Sequence, residues 1–286
     1  MTLHRAPAEV DSVPGELYYL APRATVLRRF AAPGASINTG VYEPHVVPVR
    51  NGRPVQDTFS VDVHGFEVVG HRSAVADFTD PAEVDEVYVP EVLDLVRART
   101  GADEVAACGW VRRRSVASGE NSSQPQAALV HVDYAPEGAG AGAAAVYAEH
   151  FPDGAGYRRA VATGTWRVFS PPPQDWPLAL CDFRSVGPAE GLPNDLYLVD
   201  ELPADPFGEI GPGARRVPDG SEFRFSPDHR WWYFPDMTRD EVLFFVFHDT
   251  DHGRPWRAVH SAFRDPTAAA TVPRHSIEFR TFAFFR

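Results

Sequence analysis

Short runs of alternating apolar and polar residues, separated by proline and glycine, recur along most of this 286-residue chain. Alternation with a period of two is typical of strands with one buried face. The 27 Pro and 22 Gly that separate the runs interrupt helices and favour turns. The pattern predicts a mainly β chain, with strands near residues 58–63, 106–112, 127–134, 164–169, 178–183, 231–234, 242–248, 257–263 and 276–285.

Helices are fewer in this interpretation. A proline near the first turn and apolar residues at helical spacing predict a helix over 90–99, and 143–151 is a second candidate. The glycine-rich segment 138–142 indicates a flexible turn, and 202–220 a long loop of the kind that often forms a lid or binding loop. No change in composition divides the chain. We therefore expect a single domain over 1–286, with flanking elements in about 1–105 and a barrel in about 106–286.

The composition excludes several functions. All 27 basic residues are Arg, so chemistry that needs a lysine amine, such as Schiff-base formation or a phosphate-loop lysine, is excluded. A net charge of −12 argues against a nucleic-acid partner. The start of the chain lacks a signal-peptide pattern and no apolar run is long enough for a membrane span, so we expect a cytoplasmic protein with no membrane partner. Cys108 and Cys181 are expected to be reduced core residues.

One histidine stands out by its neighbour. His131 is the only histidine with an acid two positions later, Asp133, and it lies in a run that alternates as a half-buried strand would. Residues two apart on a strand point to the same face, so the imidazole and the carboxylate can reach one ion. Because acidic residues are common in this chain, the pair by itself is a weak signal.

A second histidine completes a candidate metal site. His260 lies in a strand-like run near the C-terminus, and two imidazoles with one carboxylate can hold divalent iron on one face while leaving the opposite positions open. The alternative is that His260 is a hydrogen-bonded core histidine.

Beyond His260, the residues Arg274, Ser276, Glu278 and Arg280 share one face of a predicted strand. A guanidinium close to a hydroxyl suits the far carboxylate of a dicarboxylate co-substrate, and a buried Arg needs such a partner. The alternative is that Arg274 and Arg280 pair with Glu278 on an exposed strand. Taken together, the two imidazoles, the carboxylate and this Arg and Ser indicate an oxygenase that uses iron and 2-oxoglutarate.

Motifs spread over most of the chain resemble the gibberellin desaturase-like hydroxylase/desaturase family, which includes the cephamycin methoxylation component. They are YVPEV at 88–92, HVDY at 131–134, WR at 166–167, DWPLALCD at 175–182, WYFPDM at 232–237 and PRHSIEFR at 273–280. The chain departs from the expected pattern at Val168, where proline is expected after Trp-Arg. The resemblance implies a double-stranded β-helix, a jelly-roll or cupin-like barrel with a few flanking helices.

The resemblance also implies the site and the reaction. His131, Asp133 and His260 match the positions that hold Fe(II), and Arg274 and Ser276 match those that bind the distal carboxylate of 2-oxoglutarate. A member of this family uses O2 to hydroxylate or desaturate a small specialised metabolite, while 2-oxoglutarate is decarboxylated to succinate and CO2.

Some matters stay open from the sequence. The residues expected to form the substrate pocket are Trp110, Tyr134, Trp232 and Tyr233. Alternative functions are an iron-dependent isomerase or cyclase, a cupin-type dioxygenase that does not need 2-oxoglutarate, and a non-catalytic metabolite-binding barrel. The primary substrate and the oligomeric state do not follow from the pattern.

Overall fold

The computed structural model describes residues 10–115, 123–124, 127–217, 220–268 and 270–286. Its strands, in chain order, are β1 (Ser12–Leu20), β2 (Arg28–Ala32), β3 (Ala35–Asn38), β4 (Tyr42–Asn51), β5 (Phe66–Gly70), β6 (Glu104–Arg114), β7 (Ser123–Gln124), β8 (His131–Val132), β9 (Arg159–Val168), β10 (Leu178–Cys181), β11 (Leu192–Pro193), β12 (Asp195–Leu198), β13 (Arg215–Val217), β14 (Ser221–Glu222), β15 (Trp231–Tyr233), β16 (Glu241–Asp249), β17 (His260–Ala262) and β18 (His275–Phe285). The helices are α1 (Val61–His64), α2 (Pro81–Glu83), α3 (Val89–Thr100) and α4 (Pro136–His150), with 3-10 turns at Arg53–Thr58 and Phe183–Ser185 and a π-helical turn at Val84–Tyr88.

Two large sheets form the body of the molecule. The eight-stranded sheet has the order β1-β4-β15-β10-β17-β8-β14-β11, and the six-stranded sheet has the order β5-β16-β9-β18-β6-β7. A third, four-stranded sheet has the order β13-β12-β2-β3. Most neighbours in the two large sheets run antiparallel and are far apart in sequence, as in a jelly roll. The mainly β, jelly-roll prediction is confirmed.

The main core lies between the two large sheets. Leu178 and Leu180 of β10 face Trp166, Leu243 and Phe245 of the six-stranded sheet in one buried cluster. A second cluster covers the opposite face of the eight-stranded sheet, and a third packs α3 and the π-helical turn on the outer face of the six-stranded sheet. Both faces of each sheet are therefore covered, and the space between the sheets is the interior of the barrel.

The N-terminal part does more than flank the barrel. Strands β1 and β4 extend the eight-stranded sheet, since β4 pairs with β15, and β5 pairs with β16 in the six-stranded sheet. The sequence pattern did not indicate the strands before residue 58. These strands contain internal Pro, Gly and charged residues that weaken the alternation, and they are held by tertiary pairing.

Two local predictions are wrong. The predicted strand at 58–63 is a 3-10 turn followed by α1, because the Ser60 side chain accepts a hydrogen bond from the Asp62 N–H and Gly65 ends the helix at a φ of 84°. The predicted turn at 138–142 is the first part of α4, in which buried Gly138 and Ala139 pack against the molecule. Tertiary packing there outweighs the low helix propensity of glycine.

The other elements agree more closely. The helix predicted over 90–99 is α3, and the one predicted at 143–151 is the second half of α4. The run 127–134 is shorter as a strand than predicted, with only His131 and Val132 in β8. Of the predicted loop 202–220, residues 202–217 and 220 are described, and they are largely irregular apart from β13. Cys108 and Cys181 are free thiols. None of the helices in the described ranges has the length and apolar content needed to span a membrane.

One glycine in the core gives a stability prediction. A Cβ on Gly164 would lie 2.5 Å from Cζ of Phe247 and 2.9 Å from Cζ of Phe245, and both rings are fully buried. We expect Gly164→Ala to lower the free energy of unfolding by about 1–3 kcal/mol through overpacking. Gly140 in α4 is exposed, and a Cβ there would meet open space. Gly140→Ala should therefore raise the free energy of unfolding by about 0.5–1 kcal/mol. Urea unfolding midpoints check both; equal effects of the same sign would contradict this account.

Candidate functional site

The eight-stranded sheet brings the two histidines together. His131 of β8 and His260 of β17 are directly opposite each other in an antiparallel pair, so both side chains point to the same face. Their ring centroids are 4.4 Å apart. The residues on either side, Val130, Val132 and Val259, belong to the cluster on the opposite face. Both imidazoles therefore face the barrel interior.

Asp133 completes a group of three potential metal ligands. Its Oδ1 lies 3.2 Å from Nε2 of His131 and 3.6 Å from Nε2 of His260. One ligand atom from each residue lies within 4.8 Å of the other two. Within the described part of the chain, this is the one group of three or more His, Cys, Asp or Glu residues with such spacing.

The hydrogen bonds of the rings leave the correct atoms free for a metal. Nδ1 of His131 lies 2.6 Å from the Leu129 carbonyl oxygen, and Nδ1 of His260 lies 3.0 Å from the Ala258 carbonyl oxygen. A carbonyl oxygen accepts only, so each Nδ1 carries a proton, and Nε2 has the lone pair whenever the ring is neutral. Nε2 of His260 is buried and has no hydrogen-bond partner. A divalent cation fits this unsatisfied nitrogen and its neighbours.

Burial and neighbouring charges shift the pKa of each of the three residues in a different way. Burial lowers the pKa of His260 to about 3, so its ring is neutral at physiological pH. Burial alone would lower the pKa of His131, but the hydrogen bond and charge of Asp133 outweigh it and raise that pKa. Burial would raise the pKa of Asp133, but Arg280 and the two histidines hold it well below its usual value. The carboxylate is thus ionised.

Arg280 positions the carboxylate, and the sequence pattern did not identify this role. Its Nη2 lies 2.7 Å from Oδ2 of Asp133 and 2.8 Å from Oε1 of Glu278, and its Nε donates to the same Glu278 oxygen at 3.0 Å. The contact with Asp133 is a close ion pair without the alignment of a hydrogen bond. Because Arg280 holds Oδ2, Oδ1 is turned toward the histidines. The polar face of β18 indicated that Arg280 points toward other polar groups, but it did not predict that Arg280 contacts Asp133.

We expect loss of Arg280 to weaken metal binding. Second-layer contacts to a ligand commonly change metal affinity by about 10–100-fold, so Arg280→Met should weaken Fe(II) binding by that factor. Arg159→Met is the matched control, since it also removes an Arg–Asp ion pair, with Asp249. Anaerobic Fe(II) titration in competition with a chromophoric chelator measures both. Unchanged affinity in Arg280→Met, or an equal loss in the control, would contradict the positioning role.

Arg274 and Ser276 are both buried. Arg274 is 1% exposed and Ser276 0%, and the guanidinium carbon lies 5.6 Å from the Trp166 ring centroid. Nη1 of Arg274 donates to the Trp176 carbonyl oxygen at 2.7 Å, whereas Nε of Arg274 and Oγ of Ser276 have no hydrogen-bond partner. The described residues offer Arg274 no ion pair. The alternative of an exposed strand with Arg274 paired to Glu278 is therefore wrong, and it is Arg280 that pairs with Glu278.

A carboxylate fits this position. Burial and the positive charge of Arg113 lower the pKa of Arg274 to about 9, which reflects a cation without a paired anion. Two unsatisfied donors, one on a guanidinium and one on a hydroxyl, are what a carboxylate accepts from. Ser276 and Arg280 share one face of β18, and Arg280 contacts Asp133, so the two halves of the site meet on this strand.

The four predicted pocket residues divide between two locations. Tyr134 and Trp232 face the interior: Tyr134 packs edge-on against Phe282, and Trp232 packs against Phe59. The other two face away from it. Trp110 lies on the outer face of the six-stranded sheet and donates to Asp85, and Tyr233 packs in the cluster behind the eight-stranded sheet. The side-chain alternation along their strands places these two outside the pocket.

A cavity of about 400 Å³ opens beside His131 and Asp133, two of the three candidate ligands. Its wall includes His131, Asp133 and Arg280 together with polar residues that sequence reasoning missed, among them Arg29, Asn194 and Glu222. The sequence does contain a sign of Glu222, because the run Ser-Glu-Phe alternates. Glu222 therefore lies on the face of the strand opposite to the one that carries the core residue Phe223. That signal is too short to interpret alone.

Comparisons with known proteins place the chain in a family and among relatives with related names. The family described as "Oxidoreductase/YMDC permease-like domain" matches residues 17–284. The chain is 29% identical to "Hydroxylase/desaturase efuI" of Hormonema carpetanum, over 85% of this chain and 85% of the relative. It is 28% identical to "Fe(II)/2-oxoglutarate-dependent dioxygenase nvfI" of Aspergillus novofumigatus, over 94% of this chain and 91% of the relative.

A solved structure is similar throughout its length. The "iron and alpha-ketoglutarate-dependent endoperoxidase NvfI" superposes with a TM-score of 0.78 at 25% identity, covering 96% of this chain and 98% of that one. The family resemblance read from the sequence is confirmed. The chain therefore belongs to the oxidoreductase/YMDC permease-like family, together with relatives named hydroxylase/desaturase and Fe(II)/2-oxoglutarate-dependent dioxygenase.

Proposed function

We propose that this chain is a non-haem Fe(II)/2-oxoglutarate-dependent oxygenase that hydroxylates or desaturates a small specialised metabolite. His131, Asp133 and His260 would hold the iron, and Arg274 with Ser276 would bind the distal carboxylate of 2-oxoglutarate. The observation that carries the proposal is the trio of converging ligand atoms, with Nε2 of His131 and of His260 lying 3.2 and 3.6 Å from Oδ1 of Asp133. The names of the relatives support the same iron and co-substrate.

The metal and the protein divide the chemistry. Bound Fe(II), with 2-oxoglutarate and O2, supplies the oxidising power, and the co-substrate leaves as succinate and CO2. The chain supplies position. Phe245 and Phe247 pack against His260 with ring centroids 5.1 and 5.7 Å away, which keeps water from that side of the site. Arg280 holds Asp133, and Arg274 gives a dicarboxylate one orientation.

The alternative functions have less support. An isomerase, cyclase or cupin-type enzyme without 2-oxoglutarate leaves the buried Arg274 without its anion, and a non-catalytic barrel does not need three converging ligands. We also propose one oxygenase domain, because N-terminal strands pair within both large sheets. The small-molecule substrate is consistent with the cavity of about 400 Å³. The cytoplasmic location and the absence of nucleic-acid partners stay predictions.

An anaerobic titration tests the proposal. Metal-free protein is titrated with Fe(II) and then with 2-oxoglutarate, and the weak visible charge-transfer band of a chelated keto acid is recorded. The band is expected only after both additions. Iron binding without the band would reject 2-oxoglutarate and favour the isomerase, cyclase or cupin alternative. Failure to bind iron would leave only a binding barrel.

A further inference from the structure

Glu278 lies between the two halves of the candidate site. It is 6% exposed and belongs to the face of β18 that also carries Ser276 and Arg280, each of them two residues away along the strand. Two residues span about 6.8 Å along a strand. The Glu278 carboxylate is therefore flanked by a proposed contact of 2-oxoglutarate on one side and by the Arg that contacts Asp133 on the other.

One nitrogen connects Glu278 to the metal side. Nη2 of Arg280 lies 2.8 Å from Oε1 of Glu278 and 2.7 Å from Oδ2 of Asp133, so the two carboxylates lie within two contact distances of each other. One guanidinium balances only one of the two carboxylates, and this group of three residues keeps a net negative charge. A divalent cation bound at Asp133 is attracted by that charge.

The co-substrate side is also close to Glu278. Glu278 is directly paired with Trp166 of β9, and the Trp166 ring centroid lies 5.6 Å from the guanidinium carbon of Arg274. Directly paired residues share a face, and their Cβ atoms are about 4.5–5.5 Å apart. Burial lowers the pKa of Arg274, and the negative charge of Glu278 acts against that shift. A dicarboxylate bound by Arg274 and Ser276 is therefore repelled by Glu278.

We propose that the charge of Glu278 sets the relative affinity of the two halves of the site. It strengthens binding of the divalent cation and weakens binding of the dicarboxylate. The metal therefore binds first and supplies the positive charge that the dicarboxylate needs. This inference rests on the proposed function. It gives Glu278 a role beyond holding Arg280, and it assigns the protein an order in which its metal and its co-substrate bind.

Two matched variants separate charge from structure. Glu278→Gln removes the charge and keeps the shape, and its carbonyl oxygen still accepts from Arg280, which stays directed at Asp133. Glu67→Gln is the control, because Glu67 is 5% exposed and forms an ion pair with Arg99 on β5, at the edge of the six-stranded sheet. The structural effect of losing a buried Glu–Arg ion pair should appear in both variants.

Binding measurements test the proposal. Fe(II) affinity is measured anaerobically by competition with a chromophoric chelator, and binding of 2-oxoglutarate to the Fe(II) protein by calorimetry. A second ligand, 2-oxopentanoate, has the same chain length but only one carboxylate. In Glu278→Gln we expect the dissociation constant of Fe(II) to rise about tenfold and that of 2-oxoglutarate to fall about tenfold, through the loss of one nearby charge. The change for 2-oxopentanoate should be smaller, and Glu67→Gln should change none of the three.

Three results would overturn the proposal. They are weaker binding of both Fe(II) and 2-oxoglutarate by Glu278→Gln, the same changes in Glu278→Gln and Glu67→Gln, and equal gains for 2-oxoglutarate and 2-oxopentanoate. If Glu278→Gln does not fold, Arg280→Met is compared with the double variant Arg280→Met/Glu278→Met, which differs from it by the charge of Glu278. The double variant should then bind 2-oxoglutarate more tightly, and the reverse order would reject the proposal.

The test also separates this inference from the proposed function. If the charge-transfer band never forms in the original protein, 2-oxoglutarate is not the co-substrate and the proposed function fails. Succinate, a dicarboxylate without a keto group, then replaces 2-oxoglutarate in the same calorimetry. Weaker Fe(II) binding and tighter succinate binding by Glu278→Gln would still support the role of Glu278, and unchanged affinities would reject it.

Discussion

His131→Ala and Asp133→Ala are each expected to abolish Fe(II)-dependent succinate formation. Each variant leaves two ligands where three converge, and Asp133→Ala also removes the charge that counters Arg280. Removing one partner of a buried ion pair costs about 3–5 kcal/mol of stability, so Asp133→Ala should also lower the melting temperature. Succinate release from 2-oxoglutarate under air is the measurement, with the melting temperature of each variant recorded beside it.

The controls use the same residue types outside the site. His150 packs against Phe151 at the end of α4, and Asp94 forms an exposed pair with Arg97, so the contacts of both lie outside the candidate site. His150→Ala and Asp94→Ala should keep full activity. Asp133→Asn keeps the size of the side chain but not its charge, so loss of iron binding in a variant that melts normally assigns the effect to the ligand. Normal succinate formation by His131→Ala would remove His131 from the iron site.

Arg274→Ala is expected to weaken 2-oxoglutarate binding by roughly 100-fold, the usual size of effect when one side of a buried charged hydrogen-bond pair is lost. Fe(II) affinity should not change, because Arg274 contacts none of the three candidate ligands. Ser276→Ala removes a single neutral donor, and a loss of about fivefold is expected. Anaerobic titration of the iron-loaded variants, followed by the charge-transfer band, measures both.

Arg264→Ala is a suitable control for Arg274→Ala. Arg264 is exposed and its guanidinium lies 5.8 Å from the Trp176 ring centroid, which resembles the stacking of Arg274 on Trp166. Its loss should leave 2-oxoglutarate binding unchanged. If Arg274→Ala binds the co-substrate normally, the carboxylate lies elsewhere, and Arg113 in the cavity wall becomes the next candidate.

Several features of the site could be predicted because they are local. A spacing of two on a strand places His131 and Asp133 on one face, although in the structure only His131 belongs to the strand and Asp133 follows it in a bend. The same spacing set Arg274, Ser276, Glu278 and Arg280 apart from the apolar face of β18, where Ile277 and Phe279 pack in the outer cluster. Pattern alone does not tell which face is the interior, which is why Trp110 and Tyr233 were misplaced.

The sequence by itself determined the chemical types, the β-rich class and the face that each polar residue shares with its neighbours two positions away. Only the tertiary structure decided that β8 lies between β17 and β14, which sets His260 on one side of His131 and Glu222 on the other. It likewise decided that Arg280 meets Asp133 while Arg274 is left without an anion. The physical reason is that alternation is a property of one strand. The neighbours and the register of a strand come from pairing with residues that are about a hundred positions away in the sequence. Each strand has many possible partners with a similar pattern, and the packing of the whole barrel selects one of them.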